Sequence, residues 1–502
     1  MFLPPSDRSW RRFLVRWLGA ALVLILVAAV RSDGYHHPDE YFQTLEFAGA
    51  KLGRTPIAAL PWEYGARIRP WLQPALYYLG ARAWQVAGVQ DPFVWSGSYR
   101  LFSGLLSWLA MAALALCVPL WFPGEEARRM AVGALCLAWF VPYLAVRTSS
   151  ECLAASCLTL GFALLVLGPA TRGERTRPAV LAATGALFGL AFEFRFAVAV
   201  AVLSILAWAV LVARMPVRRL VWIGGGAVLV AAVCVLIDRW GYGEWAFPPY
   251  EYFIANLVRG EAAARFGSLP WYGYLYLAAS GPTGPLVLIL MAAAAWGWLR
   301  RPWHPLTWAA APFFVVHSWI AHKELRFLFP IASFALVSAV LAFAPLGDAW
   351  DRGARRVWEA RRRRAGRVLL AVNLLALAVF TLLPTRPQIE FQRFVWHHDS
   401  AHFEAFVLSP YSPWESENLE MHFYRPRTMH VLEAASLSEV EALGLPRFML
   451  VTESFEFDRA PKGRYSCVAL YRSLPFWVGR LLGEHATRIP AWNLYRCLAP
   501  TG

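Results

Sequence analysis

Lysine is nearly missing from this 502-residue chain, occurring only at Lys51, Lys323 and Lys462. Charge of every kind is scarce: Asp, Glu, Lys and Arg together make up 16%, against roughly 25% in an average soluble domain. That deficit, with apolar runs long enough to cross a hydrocarbon layer of about 30 Å, argues against a soluble protein with one large core. There is no CxxC spacing of the kind a zinc site uses. Of the seven cysteines, Cys117, Cys136, Cys152, Cys157 and Cys234 fall in apolar runs, where a thiol acts as a packing residue. No Gly-rich phosphate cradle and no internal repeat is visible, and the second absence argues against two-halved transporter architectures.

What is present is apolar and aromatic: 58% hydrophobic and 15% aromatic residues, with a net charge of +15 carried almost wholly by arginine. These arginines punctuate the ends of apolar runs. A nucleic-acid binder would instead gather them on one soluble face with aromatics interleaved. The runs predict spans near 13–30, 99–121, 130–147, 152–169, 179–193, 196–213, 220–237, 284–299, 305–320, 326–345 and 368–384. The first, preceded by Arg8, Arg11 and Arg12, is long for a signal peptide and lacks a good cleavage site, so it reads as an uncleaved helix.

With the N-terminus in the cytoplasm, alternate loops hold Arg128-Arg129, Arg172/Arg175/Arg177, Arg214/Arg218/Arg219, Arg300-Arg301 and the run Arg352 to Arg367. All fall on one side, as positive-inside orientation requires. Counting residues 72–90 as a span would invert this pattern, so that stretch reads as an interfacial helix with Tyr77, Tyr78 and Trp84 at headgroup level. The expected fold is an all-α polytopic membrane protein of about 11 transmembrane helices. Its domains are a membrane-embedded part, 1–384, with outward loops 31–98 and 238–283, and a small soluble α/β domain, 385–502. In the tail, Ser436 to Glu439 looks like a capping box, and Phe448–Thr452 and Cys467–Tyr471 read as strands. Cys467 and Cys497 lie in this outward tail and could pair in an oxidising compartment.

Most of the chain's histidines and carboxylates fall on the outward side. The first loop opens with Tyr35-His36-His37-Pro38-Asp39-Glu40-Tyr41. Adjacent carboxylates beside imidazoles suit general base work, and Pro38 stiffens the entry to a helix beginning near Asp39. A polar cap that merely ends the first span is the bland alternative. The spacing fits no standard zinc pattern, so no metal site is expected. A second group, His317 and then His322-Lys323-Glu324-Leu325-Arg326, sits at an outward turn. Lys and Arg there can bind a lipid-linked phosphate as point charge and fork; headgroup anchoring is the alternative. Glu193 and Arg195 interrupt an apolar stretch, where ionisable groups face a cavity or each other. The aromatics from Pro248 to Phe253 and Pro270 to Tyr274 suit sugar stacking, a lipid groove or an interfacial belt.

Taken together, His37-Pro-Asp-Glu40, Trp62-Glu-Tyr64, Ile68-Arg-Pro70, Arg147-Thr-Ser-Ser-Glu151, Phe194-Arg-Phe196, Asn256 to Tyr274 and His322-Lys-Glu-Leu-Arg-Phe327 resemble glycosyltransferase family 22. These are GT-C-fold enzymes that use dolichyl-phosphate mannose. The run from Asn256 to Trp271 is most similar to enzymes adding the third mannose of glycosylphosphatidylinositol anchors, with N-glycan precursor mannosyltransferases as close alternatives. Phe194-Arg-Phe196 stands where the family usually has Arg-Pro, and Ser149-Ser150 where it has an Asn-Thr type.

The resemblance implies inverting transfer of a single mannose from a polyprenyl-phosphate mannose to a lipid-linked glycan or glycolipid, without cofactor. Asp39 would be the base and Glu40 would orient the site. Substrate would be met by His37, Trp62, Glu63, Arg69, Arg147, Arg195, Trp271, His322, Lys323 and Arg326. The partners would be the donor, the acceptor and membrane lipids, with no nucleic acid. The active face would be extracytoplasmic, facing a bacterial periplasm or the lumen of the endoplasmic reticulum. A lipid-linked-sugar flippase or transporter is the rival reading; it predicts ionisable residues along a midplane path instead of crowding one surface.

Overall fold

The computed structural model describes residues 8–168, 177–343, 352–398, 404–408, 412–453, 463–473 and 491–499. The chain divides into two compact units. The first holds Met1–Ser32, Glu63–Ala75 and Ser98–Leu383; the second holds Asp33–Trp62, Leu76–Gly97 and Pro384–Gly502.

In the first unit the apolar runs expected as spans are helical over most of their length. In chain order these are α1 (Arg8–Arg31), α2 (Pro92–Trp121), α3 (Glu125–Leu137), α4 (Ser150–Leu167), α5 (Pro178–Phe194), α6 (Ala199–Leu211), α7 (Leu220–Tyr242), α8 (Gly284–Arg300), α9 (Pro305–Trp319), α10 (Ala332–Ala342) and α11 (Arg352–Leu382). Among the described residues, six helices are long and apolar enough to cross a membrane, and shorter apolar ones lie between them. The protein is an integral, multi-pass membrane protein. Arg172 and Arg175 lie outside the described residues. Helix α4 is apolar and buried around most of its circumference, the mark of a central helix. α7 leaves Val221, Trp222, Val228, Leu229 and Leu236 exposed, as a lipid-facing flank would. The stretch expected to be interfacial forms a helix over Leu72–Val86, too short at about 22 Å to cross the hydrocarbon layer upright.

The expected span 130–147 is interrupted. α3 ends at Leu137, Ala138 turns extended, and helix resumes only at Val141–Ala145 with Pro142 in its first turn. Pro142 cannot donate an amide to the preceding turn, so the ladder breaks there. The freed groups find a partner in Asn373 of α11. Its Nδ2 donates to Leu137 O at 2.7 Å and its Oδ1 accepts from Trp139 N at 3.1 Å. A break inside a membrane persists only when the backbone is satisfied in this way.

Small residues let α5 and α7 touch backbone to backbone. A Cβ on Gly185 would strike Ile223 O, and one on Gly226 would strike Ala182 O, while Gly189 packs on Ala227. The 185/189 spacing is a small-xxx-small face, which permits such close approach. Gly185→Val should therefore destabilise the folded protein by roughly 1–3 kcal/mol or more, the range for overpacking. Thermal denaturation in detergent checks this, with Gly224→Val, which points into open space, as the near-neutral control.

The second unit carries a mixed five-stranded sheet in the order β4-β1-β5-β7-β6. The strands are β1 (Glu404–Val407), β4 (His430–Glu433), β5 (Arg447–Glu453), β6 (Ser466–Arg472) and β7 (Trp492–Leu498), while β2 (Glu415–Ser416) and β3 (Leu419–Glu420) form a separate pair. β1 is parallel to β4 and β5, and β7 is antiparallel to β5 and β6. The continuous apolar run in β5 follows from burial on both faces. Met449 and Val451 pack with Phe391 and Val395 of α12 (Pro387–His397), and Phe448 and Leu450 pack with Val440 of α13 (Leu437–Ala442). Ser436 caps α13 by accepting from Glu439 N, while Glu439 reaches back to Ala435 N at 2.8 Å. Cys467 and Cys497 face each other across β6 and β7 and form a disulfide, tying the edge strand to its neighbour.

The loop that follows α1 is sewn into the same unit. Fully buried Glu46 accepts from Thr55 Oγ1, from His422 N at 2.6 Å and from Phe423 N at 3.0 Å. Arg54 donates to Phe423 O and Arg425 O, and burial draws its guanidinium down to about 10. Asp33 pairs with Arg393, and Tyr35 Oη donates to Gln388 Oε1 at 3.0 Å. Burial raises the Glu46 carboxyl, opposed by these bonds.

Candidate active site

Two polar clusters stand out, one in each unit. In the second unit, the chain leaves α1 and turns back into helix at Pro38. His37 occupies the capping position, and its Nδ1 accepts from Asp39 N at 3.2 Å. Because Nδ1 accepts, the neutral ring carries its proton on Nε2. Glu40 is buried, and its Oε2 accepts from His36 N at 2.8 Å. Asp39 keeps 22% of its side-chain surface exposed, with Oδ1 3.6 Å from His37 Nδ1. The arrangement is one fixed carboxylate beside one that a hydroxyl can reach, which is what proton abstraction by a side chain needs.

In the first unit, the N-terminus of α4, the junction of α5 with the helix that follows, and the turn after α9 bring charges together. Ser149 caps α4 through Cys152 N, which sets Glu151 in the first turn. Glu151 is almost completely buried, and a carboxylate at that depth requires partners. Its Oε1 lies 3.3 Å from Arg195 Nη2 and 3.4 Å from Arg326 Nη1. Arg326 Nε also donates to Glu324 Oε2 at 2.5 Å, and His322 Nε2 lies 2.9 Å from Glu324 Oε1. Both guanidiniums lie over the Phe327 ring, at 5.0 and 5.3 Å.

Lys323 is buried, and its Nζ donates to the carbonyls of Leu269 at 2.9 Å and Ile320 at 2.5 Å. Burial lowers the Lys323 ammonium, whereas the hydrogen bond to Glu324 raises His322 toward its cationic form. Two carboxylates thus stand against two guanidiniums and one imidazole, so positive charge is in excess when His322 carries its second proton, and the Lys323 ammonium is held on backbone carbonyls in the same turn. A preorganised cationic surplus of this kind stabilises an anion such as a phosphate.

The remaining expected residues lie elsewhere. Glu63 and Arg69 pair at 3.5 Å, and Arg69 O accepts from Tyr242 Oη at 2.7 Å. Arg147 is fully buried, its guanidinium donating to Ser32 O, to Ser32 Oγ at 3.0 Å and to Tyr143 O at 3.3 Å. Trp62 is half-buried at the start of a short helix, and Trp271 is 70% exposed with its ring edge-on to Tyr272. Glu193 is buried and forms no ion pair with Arg195, which pairs with Glu151 instead. Sequence reasoning did not assign Glu151 a role; an acid in the first turn of an otherwise apolar helix was the available signal. Among the described residues no group of three or more His, Cys, Asp or Glu is placed to hold a metal ion.

Residues 16–395 match the profile of the Alg9-like mannosyltransferase family. Mannosyltransferase APTG1 of Arabidopsis thaliana is 24% identical over 330 residues, 65% of this chain and 58% of the relative. GPI alpha-1,2-mannosyltransferase 3 of Danio rerio is 25% identical over 329 residues, 63% of this chain and 57% of the relative. The chain thus spans less than two thirds of the length of these relatives. Among solved structures, ArnT from Cupriavidus metallidurans bound to undecaprenyl phosphate shares the fold, with a TM-score of 0.56 over 98% of both chains at 14% identity.

Proposed function

Because this chain belongs to the Alg9-like mannosyltransferase family, we propose that it transfers one mannose from a polyprenyl-phosphate mannose to a lipid-linked glycan or glycolipid. The observation that carries this reading is the gathering of Arg195, His322 and Arg326 around Glu151 and Glu324, with the Lys323 ammonium held on the carbonyls of Leu269 and Ile320 in the same turn. A sugar attached to a polyprenyl phosphate leaves behind a phosphate, and such a cluster stabilises the charge that develops on it. Undecaprenyl phosphate in the fold relative ArnT is in keeping with a donor of this class.

In the proposed reaction an acceptor hydroxyl oxygen attacks C1 of the mannose, and the bond from C1 to the phosphate oxygen breaks. The electron pair leaves on that oxygen, whose charge Arg195, Lys323 and Arg326 offset. The hydroxyl proton passes to the Asp39 carboxylate. Glu40, fixed by His36 N, and His37, fixed by Asp39 N, hold Asp39 in place. Attack opposite the leaving phosphate inverts the anomeric centre.

An in vitro assay with the purified protein tests the donor. Mannosyl, glucosyl and arabinosyl polyprenyl phosphates are offered with a panel of lipid-linked acceptors. Transfer from the mannosyl donor alone is expected; transfer only from the glucosyl or arabinosyl donor, or none with any donor and acceptor, sinks the reading.

We place this chemistry on the extracytoplasmic side. The arginine-bearing loops alternate to the opposite side, and the Cys467–Cys497 disulfide suits an oxidising compartment. The remaining cysteines are buried, so introduced thiols can be read against a low background. In intact cells a membrane-impermeant maleimide should label Ser438→Cys and leave Gly124→Cys unlabelled; the opposite pattern reverses the orientation.

A further inference from the structure

Tyr274 lies in the helix Gly273–Ser280, is 1% exposed, and its hydroxyl has no hydrogen-bond partner among the described residues. A buried hydroxyl left unpaired is costly, and in a folded protein it needs an explanation. Its surroundings supply one. The segment leading to Tyr274 is pinned to the turn that follows α9: Leu269 N donates to Ala321 O at 2.9 Å, and Leu269 O accepts from Lys323 Nζ. His322 Nδ1 lies 3.0 Å from Gly267 O. Gly273 sits against the Lys323 stem so closely that a Cβ there would come within 3.1 Å of Lys323 Cδ. The phenol oxygen lies within the electrostatic reach of Glu324 and Arg195. Its ring packs against Phe314, with centroids 6.1 Å apart.

We propose that Tyr274 is a donor-binding residue whose hydroxyl donates a hydrogen bond to the phosphate held by Arg195, Lys323 and Arg326. This rests on the phosphate-site reading given above and extends it to a neutral donor. The chemistry fits: a phosphate oxygen is an acceptor, a phenol is a donor, and burial raises the phenol so that it keeps its proton. A hydroxyl set apart from protein partners binds an incoming acceptor without first surrendering another bond, so it is preorganised. The ring, fixed by burial, contributes no rotamer freedom to be lost on binding.

The test uses the full chain in lipid nanodiscs, with farnesyl phosphate as the probe for the phosphate site. Affinity for the probe, the KM for each substrate and the thermal midpoint are measured for the wild type, Tyr274→Phe and Lys323→Ala. Tyr274→Phe should weaken farnesyl phosphate binding by about 10-fold or more, the loss expected for one hydrogen bond to a charged group. It should raise the donor KM and leave the acceptor KM in place. The thermal midpoint should stay level or rise, since the variant removes an unpaired buried hydroxyl. Unchanged probe affinity in Tyr274→Phe with weakened affinity in Lys323→Ala overturns this inference alone. Unchanged affinity in both, or no binding by the wild type, overturns the phosphate-site reading and this inference with it. A lowered midpoint with unchanged affinity marks the hydroxyl as structural and also overturns it.

Discussion

Asp39→Asn should lower turnover by about 10²–10⁴-fold, the range for loss of a positioned general base. Asparagine keeps the shape of the side chain and its hydrogen-bonding oxygen but cannot take the acceptor proton. The His37 cap uses the Asp39 amide rather than its side chain, and Glu40 is held by His36 N. The local fold therefore should persist, with donor affinity and thermal midpoint close to the wild type. Purified enzyme, saturating donor and a quantified product make the measurement. Turnover above about a tenth of the wild type would fall short of that range and place the base elsewhere. Glu40→Gln is then the next variant, although its burial and its bond to His36 N argue for a fixed, orienting role.

The second large effect concerns Arg326. Its guanidinium reaches Glu324 through Nε and Glu151 through Nη1 at once. That bridge needs a planar fork. A lysine keeps the charge, yet its single ammonium cannot span two carboxylates in that geometry. Arg326→Lys should therefore cut kcat/KM for the donor by about 10- to 100-fold, the equivalent of one charge-assisted hydrogen bond. The acceptor KM should hold steady. A variant with wild-type donor kinetics shows that charge alone suffices, and the fork would then play no part. Because Glu151 retains Arg195 at 3.3 Å, it is not left alone, so a moderate fall in thermal midpoint is expected rather than loss of the fold.

Both readings draw on residues whose identity was visible in the sequence but whose company was not. Arg147 and Arg195 look alike there, each an arginine at one end of an apolar run. Packing separates them. Arg147 is buried against the backbone carbonyls of Ser32 and Tyr143, whereas Arg195 joins Arg326 on a single carboxylate oxygen. Glu193, two residues away, was the natural partner for Arg195 on sequence proximity. The partner is Glu151, because α4 lies at the centre of the unit and presents its first turn to Arg195 and Arg326.

The sequence by itself determined what depends on neighbours a few residues apart. Apolar runs long enough to span a bilayer are a local property, and the helices fall where those runs lie. Short runs rich in apolar and β-branched or aromatic residues marked β5 and β6 for the same reason. The short motifs from His37 to Phe327 carried the family. Only the tertiary structure decided which charges meet, because an ion pair costs nothing in sequence separation once the chain is folded. Glu151 and Arg326 are 175 residues apart, and Glu46 binds Phe423 N across 377. It also decided that the run 130–147 breaks at Ala138, since a proline weakens the ladder locally but a partner for the freed amide and carbonyl had to come from Asn373, more than 230 residues away. The unpaired hydroxyl of Tyr274 belongs to the same class. Burial and the absence of a hydrogen-bond partner among the described residues are properties of packing, which no local pattern encodes.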